Sequence, residues 1–337
     1  MLIAGLVVLY FGAEAMVKGA SQLALALGIS PLIVGLTVVA FGTSAPEFLV
    51  SFVATWEGSE GISVGNIIGS NICNLTLILG TAAMVYPMAI SSGALRREYP
   101  IMLVSSVAFY GLAFTSQYID RWEGGLLFAG ILAFVGYNLW LVIKMRRQMK
   151  LGAEEGFSEE KAMEELGGEE VEVDEDATSA KGIAKNIAFL VFGFVGLAIG
   201  AQLMVDNAVV IAEHFGVPSF IIGTTIVAFG TSLPELATSV VAAMRKESDI
   251  SVGNIFGSNI FNVMFIMGSV PMIFGMEVES RAPIIDFPVM IAITLLVFPM
   301  MRSNYRLGRV EGGILLAIYL AYTAALIIWP NAGAAAA

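Results

Sequence analysis

Apolar stretches of about 20 residues recur along the whole chain, and a helix of that length spans the hydrocarbon core of a bilayer. Of the 337 residues, 57% are hydrophobic and 13% are charged, whereas a soluble domain carries about 25% charged residues. The sequence therefore predicts an all-α polytopic membrane protein with ten transmembrane helices. The predicted spans are 2–27, 32–54, 64–87, 100–117, 122–143, 185–212, 219–244, 252–274, 284–301 and 309–329.

The sequence repeats itself once, at a constant offset. Adding 188 to the number of Glu47 gives Glu235, and the same offset relates Gly69-Ser70-Asn71-Ile72 to Gly257-Ser258-Asn259-Ile260. Each copy holds five predicted helices, so the second copy must enter the membrane from the opposite side. The sequence thus predicts two inverted-topology repeats, an arrangement that recurs in secondary transporters. The predicted boundaries are 1–144 for the first five-helix repeat, 145–184 for an acidic cytoplasmic linker, 185–330 for the second repeat and 331–337 for a disordered tail.

The basic residues predict the orientation, because cytoplasmic connectors carry an excess of Lys and Arg. With these spans, fourteen basic residues fall on one side and only Arg121 and Arg281 on the other. We therefore expect a multi-pass protein of the cell (inner) membrane, with the long loop cytoplasmic and both termini external. Residues 151–180 hold twelve of the 28 acidic residues and one base. This composition is typical of a solvated linker, and a Ca²⁺-sensing role for it stays open.

Two carboxylates are predicted at membrane depth, each at the end of a Gly-Thr-Ser-x-Pro-Glu segment. A charged side chain there costs at least about 2.5 kcal/mol on insertion scales, so it predicts a functional site. The proline lacks an N–H and predicts a break in the helix, and the freed carbonyls are tolerated where they line a cavity. The carboxylates are Glu47 and Glu235, the prolines are Pro46 and Pro234, and the threonines four residues before each carboxylate are Thr43 and Thr231.

A second polar segment, Gly-Asn-x-x-Gly-Ser-Asn-Ile, follows each of the first. Ser70 and Asn74 lie four residues apart, as do Ser258 and Asn262, so a hydroxyl and an amide share one helix face. The other asparagines of the segment are either cation ligands or interhelical contacts, and the sequence leaves both readings open. They are Asn66, Asn71, Asn254 and Asn259.

These segments predict a cation site near the bilayer midplane, where inverted-repeat transporters bind their substrates. Carboxylate, hydroxyl, amide and carbonyl oxygens are the ligands that hard cations such as Ca²⁺ prefer. Two facing carboxylates repel each other, and either one divalent cation or more than one monovalent cation removes that repulsion. Mutually exclusive occupancy of this kind is what antiport requires.

With these residues in view, the chain resembles the sodium/calcium exchangers of the calcium/cation antiporter superfamily, in their prokaryotic, ten-helix form. The resemblance rests on the two segment types above and covers all predicted spans. It implies that Glu47 and Glu235 are the principal cation ligands. It also implies hydroxyl, carbonyl and amide ligands from Thr43, Ser44, Thr231, Ser232, Ala40, Ala228, Ser70, Asn74, Ser258 and Asn262.

One position departs from part of that family. Some prokaryotic members and the potassium-dependent branch carry Asp where this chain has Asn262. An asparagine removes one negative charge, so the number of bound cations and any potassium coupling stay open. The single cysteine, Cys73, and the single histidine, His214, exclude an internal disulfide and argue against Cys- or His-based metal sites.

We therefore predict a secondary-active antiporter that exchanges Na⁺ for Ca²⁺ by alternating access. It is expected to be neither an enzyme nor a nucleic-acid binder, and to need no cofactor besides the transported ions. The alternatives are a proton/calcium antiporter on the same scaffold and a passive cation channel. The sequence does not determine the oligomeric state, and a monomer is compatible with it.

Overall fold

The computed structural model describes residues 2–27, 29–152, 179–214, 228–278 and 282–328. Most of the predicted linker, the terminal tail and the first part of the predicted span 219–244 lie outside these ranges. The helices are α1 (Leu2–Leu27), α2 (Pro31–Val34), α3 (Ala40–Thr43), α4 (Ala45–Trp56), α5 (Glu60–Cys73), α6 (Leu79–Val85), α7 (Tyr99–Ser116), α8 (Arg121–Gly152), α9 (Ala180–His214), α10 (Ala228–Thr231), α11 (Leu233–Met244), α12 (Ser248–Ile260), α13 (Met267–Phe274), α14 (Phe287–Arg302) and α15 (Arg309–Ile328).

The chain is an all-α polytopic membrane protein, as the apolar stretches predict. In the described ranges, seven helices are long and apolar enough to cross a membrane, and the bent pair Pro31–Thr43 and Ala45–Trp56 makes an eighth candidate. Two further predicted spans coincide with α7 and, in part, with α11. The total of ten therefore stays a prediction. Helices α8 and α9 extend into both ends of the predicted linker, to Gly152 and from Ala180.

Five short π-helical segments interrupt the α-helices in the described part of the chain. Four of them form two pairs at equivalent positions in the predicted repeats: one pair begins at Ala94 and Ala282, and the other begins, within one residue, at Asn74 and Phe261. Each segment of the second pair contains a predicted site asparagine. A π-helical turn inserts one extra residue and is frequent at functional sites. The π segments are Gly35–Val39, Asn74–Ile78, Ala94–Glu98, Phe261–Ile266 and Ala282–Asp286.

Both Gly-Thr-Ser-x-Pro-Glu segments break their helix at the serine. Ser44 has φ −81° and ψ 4°, and Ser232 has φ −88° and ψ 5°, both outside helical geometry. The following proline occupies the first turn of the next helix, where its missing N–H costs nothing. The segment Pro31–Thr43 and helix α4 are bent by 42° relative to each other. The predicted proline break is thus present in both copies.

Glycines allow the closest helix crossings. A Cβ atom on Gly12 of α1 would lie 2.7 Å from the backbone nitrogen of Leu197 in α9. Cβ atoms on Gly124 and Gly268, in α8 and α13, would each meet the backbone of the other helix at 2.5 to 2.7 Å. The pair Gly80 and Gly312 brings α6 and α15 together in the same way. Only residues without a side chain allow backbones to approach this closely.

Two small antiparallel sheets, which the sequence did not predict, join connectors from the two halves of the chain. Strand β1 (Met88–Ala89) pairs with β4 (Arg306–Leu307), and β2 (Tyr118–Ile119) pairs with β3 (Met276–Glu277). Adding 188 to the residue numbers of β1 gives β3, and adding it to β2 gives β4. The two sheets are therefore equivalent contacts, and each holds two distant connectors together.

Candidate functional site

Glu47 and Glu235 are brought together in the interior. Each lies in the first turn of the helix after its break, in α4 and α11, and each is only 1% exposed. Ser232 Oγ donates to Glu47 Oε1 at 3.2 Å, and Ser44 Oγ donates to Glu235 Oε1 at 3.3 Å. Each carboxylate thus binds the serine that precedes the other carboxylate. Neither carboxylate faces lipid.

The predicted hydroxyl groups surround these carboxylates. Ser70 Oγ donates to Glu47 Oε1 at 3.5 Å and lies 3.3 Å from Ser232 Oγ. Thr43 Oγ1 donates to Asn254 Oδ1 at 3.0 Å and lies 3.4 Å from Ser258 Oγ. Helices α5 and α12 therefore carry the serines that face the two broken helices.

The predicted carbonyl ligands lie on the short helices just before each break. The carbonyl oxygen of Ala40 accepts hydrogen bonds from the Ser44 nitrogen at 3.0 Å and from Thr43 Oγ1 at 3.4 Å. Ala228 opens helix α10, which ends at Thr231. Thr231 is 8% exposed, so it too lies in the interior.

The two predicted site amides cross between the halves of the chain. Asn262 Nδ2 donates to Asn71 Oδ1 at 3.0 Å, and Asn74 Nδ2 donates to Asn259 Oδ1 at 3.5 Å. The two bonds are equivalent under the 188-residue offset. Asn262 is fully buried, and the other three side chains are 1% exposed.

Four buried oxygen atoms of this site have no hydrogen-bond partner among the residues that the structure describes. They are Glu47 Oε2, Glu235 Oε2, Asn74 Oδ1 and Asn262 Oδ1. Buried polar atoms almost always have partners, and a buried charge without one is costly. Two carboxylate and two amide oxygens form an acceptor-only set, which suits a hard cation such as Ca²⁺ or Na⁺.

Asn66 and Asn254 form hydrogen bonds with protein groups, which is one of the two roles that the sequence left open for them. Asn66 Nδ2 donates to the carbonyl oxygen of Glu47 at 3.2 Å and to Ser51 Oγ at 3.1 Å. Asn254 Nδ2 donates to Ser239 Oγ at 3.1 Å. These bonds fix the broken helices against α5 and α12.

Ser51 and Ser239 contact residues of the candidate site, but they were not predicted from the sequence. Both are fully buried and related by the 188-residue offset, which is the signal that could have identified them. Within the described ranges, no group of three or more His, Cys, Asp or Glu side chains is arranged to hold a metal ion. The candidate site therefore relies on two carboxylates and on neutral oxygens.

Comparison with known proteins places the chain among membrane exchangers. The sequence profile of the family described as "Sodium/calcium exchanger protein" matches residues 1–140 and 185–328. The sodium/calcium exchanger MaX1 of Methanosarcina acetivorans is 36% identical over 348 residues, with 97% of each chain covered. The inner membrane protein YrbG of Escherichia coli is 35% identical over 331 residues, with 97% of this chain and 95% of the relative covered.

A more distant relative is named as a proton antiporter instead of a sodium exchanger. The Ca(2+)/H(+) antiporter of Synechocystis is 26% identical over 324 residues, covering 91% of this chain and 86% of the relative. Among solved structures, the sodium-calcium exchanger NCX_Mj soaked with Na⁺ and Sr²⁺ superposes with a TM-score of 0.77 at 29% identity, covering 96% of this chain and 97% of that one. The profile match and these relatives together show that the chain belongs to the sodium/calcium exchanger family.

Proposed function

We propose that this protein is a secondary-active antiporter that exchanges Na⁺ for Ca²⁺ at the site between the two broken helices. The observation that carries the proposal is the set of four unpartnered, buried oxygen atoms on Glu47, Glu235, Asn74 and Asn262. Two of them belong to carboxylates and bring a charge of −2. One Ca²⁺ ion neutralises that charge, and so do two Na⁺ ions. The two kinds of cargo therefore exclude each other, as coupled exchange requires.

We assign ligand roles as follows. Glu47 and Glu235 are the principal cation ligands, and hydroxyl and carbonyl oxygens are added by Thr43, Ser44, Thr231, Ser232, Ala40 and Ala228. The remaining oxygens complete flanking Na⁺ positions, and they come from Ser70, Asn74, Ser258 and Asn262. Their burial between α5, α12 and the two broken helices supports this assignment.

Alternating access is proposed to follow from two five-helix repeats of inverted topology. Pairs of contacts at the same 188-residue offset support the repeats: the two small sheets, the two Ser–Glu bonds and the two Asn–Asn bonds. The close glycine crossing of α1 and α9 supports movement of these helices as one unit against the rest. Transporters of this design rock one bundle against another around a fixed site.

We also propose an inner-membrane location with the long loop cytoplasmic and both termini external. The pairing of β1 with β4 supports this topology, since it joins the connector before Arg96 and Arg97 to the one that contains Arg306. These basic residues then share one side of the membrane, as the positive-inside rule expects.

A proton/calcium antiporter is the second candidate, and the name of the Synechocystis relative favours it. Two adjacent carboxylates can carry protons as well as Na⁺. The hydroxyl and amide oxygens around them favour Na⁺, because neutral oxygen ligands coordinate a metal ion but take up no proton at neutral pH. A passive channel is the third candidate, and it predicts Ca²⁺ flux without a counter-ion.

Flux in sealed vesicles separates the three candidates. Purified protein is reconstituted into liposomes loaded with Na⁺, and ⁴⁵Ca²⁺ uptake is followed after dilution into Na⁺-free buffer with the proton gradient collapsed. Sodium/calcium exchange predicts uptake that disappears when the Na⁺ gradient is removed. Uptake that requires a pH gradient instead would establish the proton antiporter. Uptake without either gradient would establish the channel.

A further inference from the structure

We propose that Asn71 and Asn259 are positioning residues that turn the amide oxygens of Asn262 and Asn74 toward the transported cation. This proposal rests on the proposed function, in which those two oxygens are cation ligands. An asparagine side chain presents either an oxygen or an NH₂ group to a cavity, and only the oxygen attracts a cation. Something must therefore select the orientation of each ligand amide.

The orientation of Asn71 is determined by its own partners. Its Nδ2 donates to the carbonyl oxygen of Asn259 at 3.5 Å and to the sulfur of Met290 at 3.8 Å. A backbone carbonyl and a thioether can accept a hydrogen bond but cannot donate one. The NH₂ group of Asn71 consequently faces these two atoms. Its Oδ1 faces the other way, toward Asn262.

Asn71 in turn determines the orientation of Asn262. Because Asn71 presents an oxygen, Asn262 must present its NH₂ group, and the resulting bond is 3.0 Å long. The opposite face of the Asn262 amide is then its Oδ1, the atom without a hydrogen-bond partner among the described residues. The unpartnered oxygen is thus a consequence of the Asn71 contact.

The second half of the site repeats this arrangement. Asn259 Nδ2 donates to the sulfur of Met102 at 3.7 Å, and Asn259 Oδ1 accepts from Asn74 Nδ2 at 3.5 Å. Asn74 Oδ1 again has no partner in the described part of the chain. Met102 and Met290 are each 1% exposed, so water does not compete for the asparagine donors.

Each positioning residue and its ligand residue come from different halves of the chain. Asn71 and Asn74 lie at the junction of α5 and its π segment, whereas Asn259 and Asn262 lie at the equivalent junction after α12. An asparagine of each half therefore orients the proposed ligand asparagine of the other half. This coupling provides a specific role for two asparagines that the sequence leaves as either ligands or interhelical contacts.

The test replaces Asn71 by leucine, which has a similar size but neither donates nor accepts a hydrogen bond. We expect the KM for Ca²⁺ to rise about fivefold to tenfold, as the loss of one hydrogen bond predicts, with kcat changed less than about twofold. Asn259→Leu is expected to act in the same direction but more weakly, since its bond is longer. The matched control is Asn138→Leu, a fully buried asparagine that donates to Phe134 within α8. The control should keep the KM of the wild type.

A second background separates positioning from packing. In Asn262→Asp, the ligand side chain presents an oxygen whichever way it turns, and Asn71 Oδ1 then faces a second acceptor instead of an NH₂ group. Adding Asn71→Leu should therefore not raise the KM above that of Asn262→Asp alone. An equal rise of KM in both backgrounds would mean that Asn71 only packs, and it would overturn the proposal. An unchanged KM for Asn71→Leu in the native background would do the same.

A milder variant and a binding measurement complete the design. If the leucine variants do not reach the membrane, Met102→Leu removes the sulfur to which Asn259 Nδ2 donates at nearly constant volume, and a KM equal to that of the wild type then contradicts the positioning role of Asn259. Ca²⁺-dependent stabilisation against thermal unfolding in detergent gives a dissociation constant without transport. Wild-type protein that shows no gradient-driven uptake refutes the proposed function. The dissociation constants of the same variants then still decide the positioning role.

Discussion

At the scale of single residues, the site is defined by which oxygen atoms have partners. One oxygen of Glu47 binds Ser232 and Ser70, and the other binds nothing among the residues described. Glu235 repeats this pattern with Ser44. The serine bonds fix each carboxylate in one orientation. The second oxygen of each carboxylate is the atom that we propose binds a cation.

Glu47→Gln is therefore expected to remove Ca²⁺ transport while leaving folded protein in the membrane. Glutamine keeps the shape and the serine contact but loses the charge. Loss of one partner of a buried ionic contact costs about 3–5 kcal/mol, which corresponds to at least about 100-fold in affinity. The measurement is Na⁺-driven ⁴⁵Ca²⁺ uptake in liposomes at equal protein content. The exposed Glu57, replaced by Gln in the same way, should retain exchange, and normal uptake by Glu47→Gln would exclude Glu47 from the site.

At the scale of helices, two devices shape the site: breaks after serine and crossings through glycine. The breaks at Ser44 and Ser232 place both carboxylates in the first turn of a helix. The backbone N–H groups and the helix dipole favour negative charge at that position. At Gly253 and Gly257, an added Cβ atom would lie 2.6 to 2.7 Å from the backbone oxygens of Leu32 and Leu36. Helix α12 therefore packs directly against the segment before the first break, where Thr43 donates to Asn254.

We expect Gly12→Ala to weaken the contact between α1 and α9. The added methyl group would lie 2.7 Å from the Leu197 nitrogen, a distance at which the backbones must separate. Overpacking of this kind costs about 1–3 kcal/mol. Thermal unfolding in detergent is the measurement, and the apparent Tm should fall. Gly136→Ala in α8 is the control, because nothing that the structure describes lies within 4 Å of the added methyl group; an equal loss in both variants would contradict the crossing as the cause.

At the scale of the whole molecule, the two small sheets connect the two halves of the chain. Each sheet joins one connector from the first half to one from the second. The contacts between α8 and α13, and between α6 and α15, join the same halves through glycine pairs. These four connections join the surrounding helices of the two halves, and the proposed exchange cycle moves the α1–α9 pair against them.

The proposed topology can be tested by cysteine labelling, since the only native thiol, Cys73, is buried. Ser59 lies in a connector predicted to be external, and Ser303 lies in one predicted to be cytoplasmic; both are exposed. A membrane-impermeant maleimide should label Ser59→Cys in intact cells and Ser303→Cys only after permeabilisation. The opposite pattern would reverse the assigned orientation without affecting the site.

The sequence alone was sufficient to predict the membrane class and the repeated segments, and it supplied a set of candidate site residues that lacked Ser51 and Ser239. Apolar length, proline and an intramembrane carboxylate are local properties, and the 188-residue offset is visible without coordinates. The structure contains the expected long apolar helices and the two broken helices, and it brings Glu47 close to Glu235. The ligand role of these residues and the count of ten spans remain predictions.

Only the tertiary structure decided which atoms face one another. The pairing of Asn262 with Asn71, of each carboxylate with the opposite serine, and of β1 with β4 all join residues far apart in the sequence. No local pattern encodes such a contact, because it depends on how closely the helices pack and on which donors are already used. For the same reason, the sequence identifies Asn74 and Asn262 as polar residues at membrane depth, whereas the packing around them determines that their oxygen atoms are the ones left without a partner.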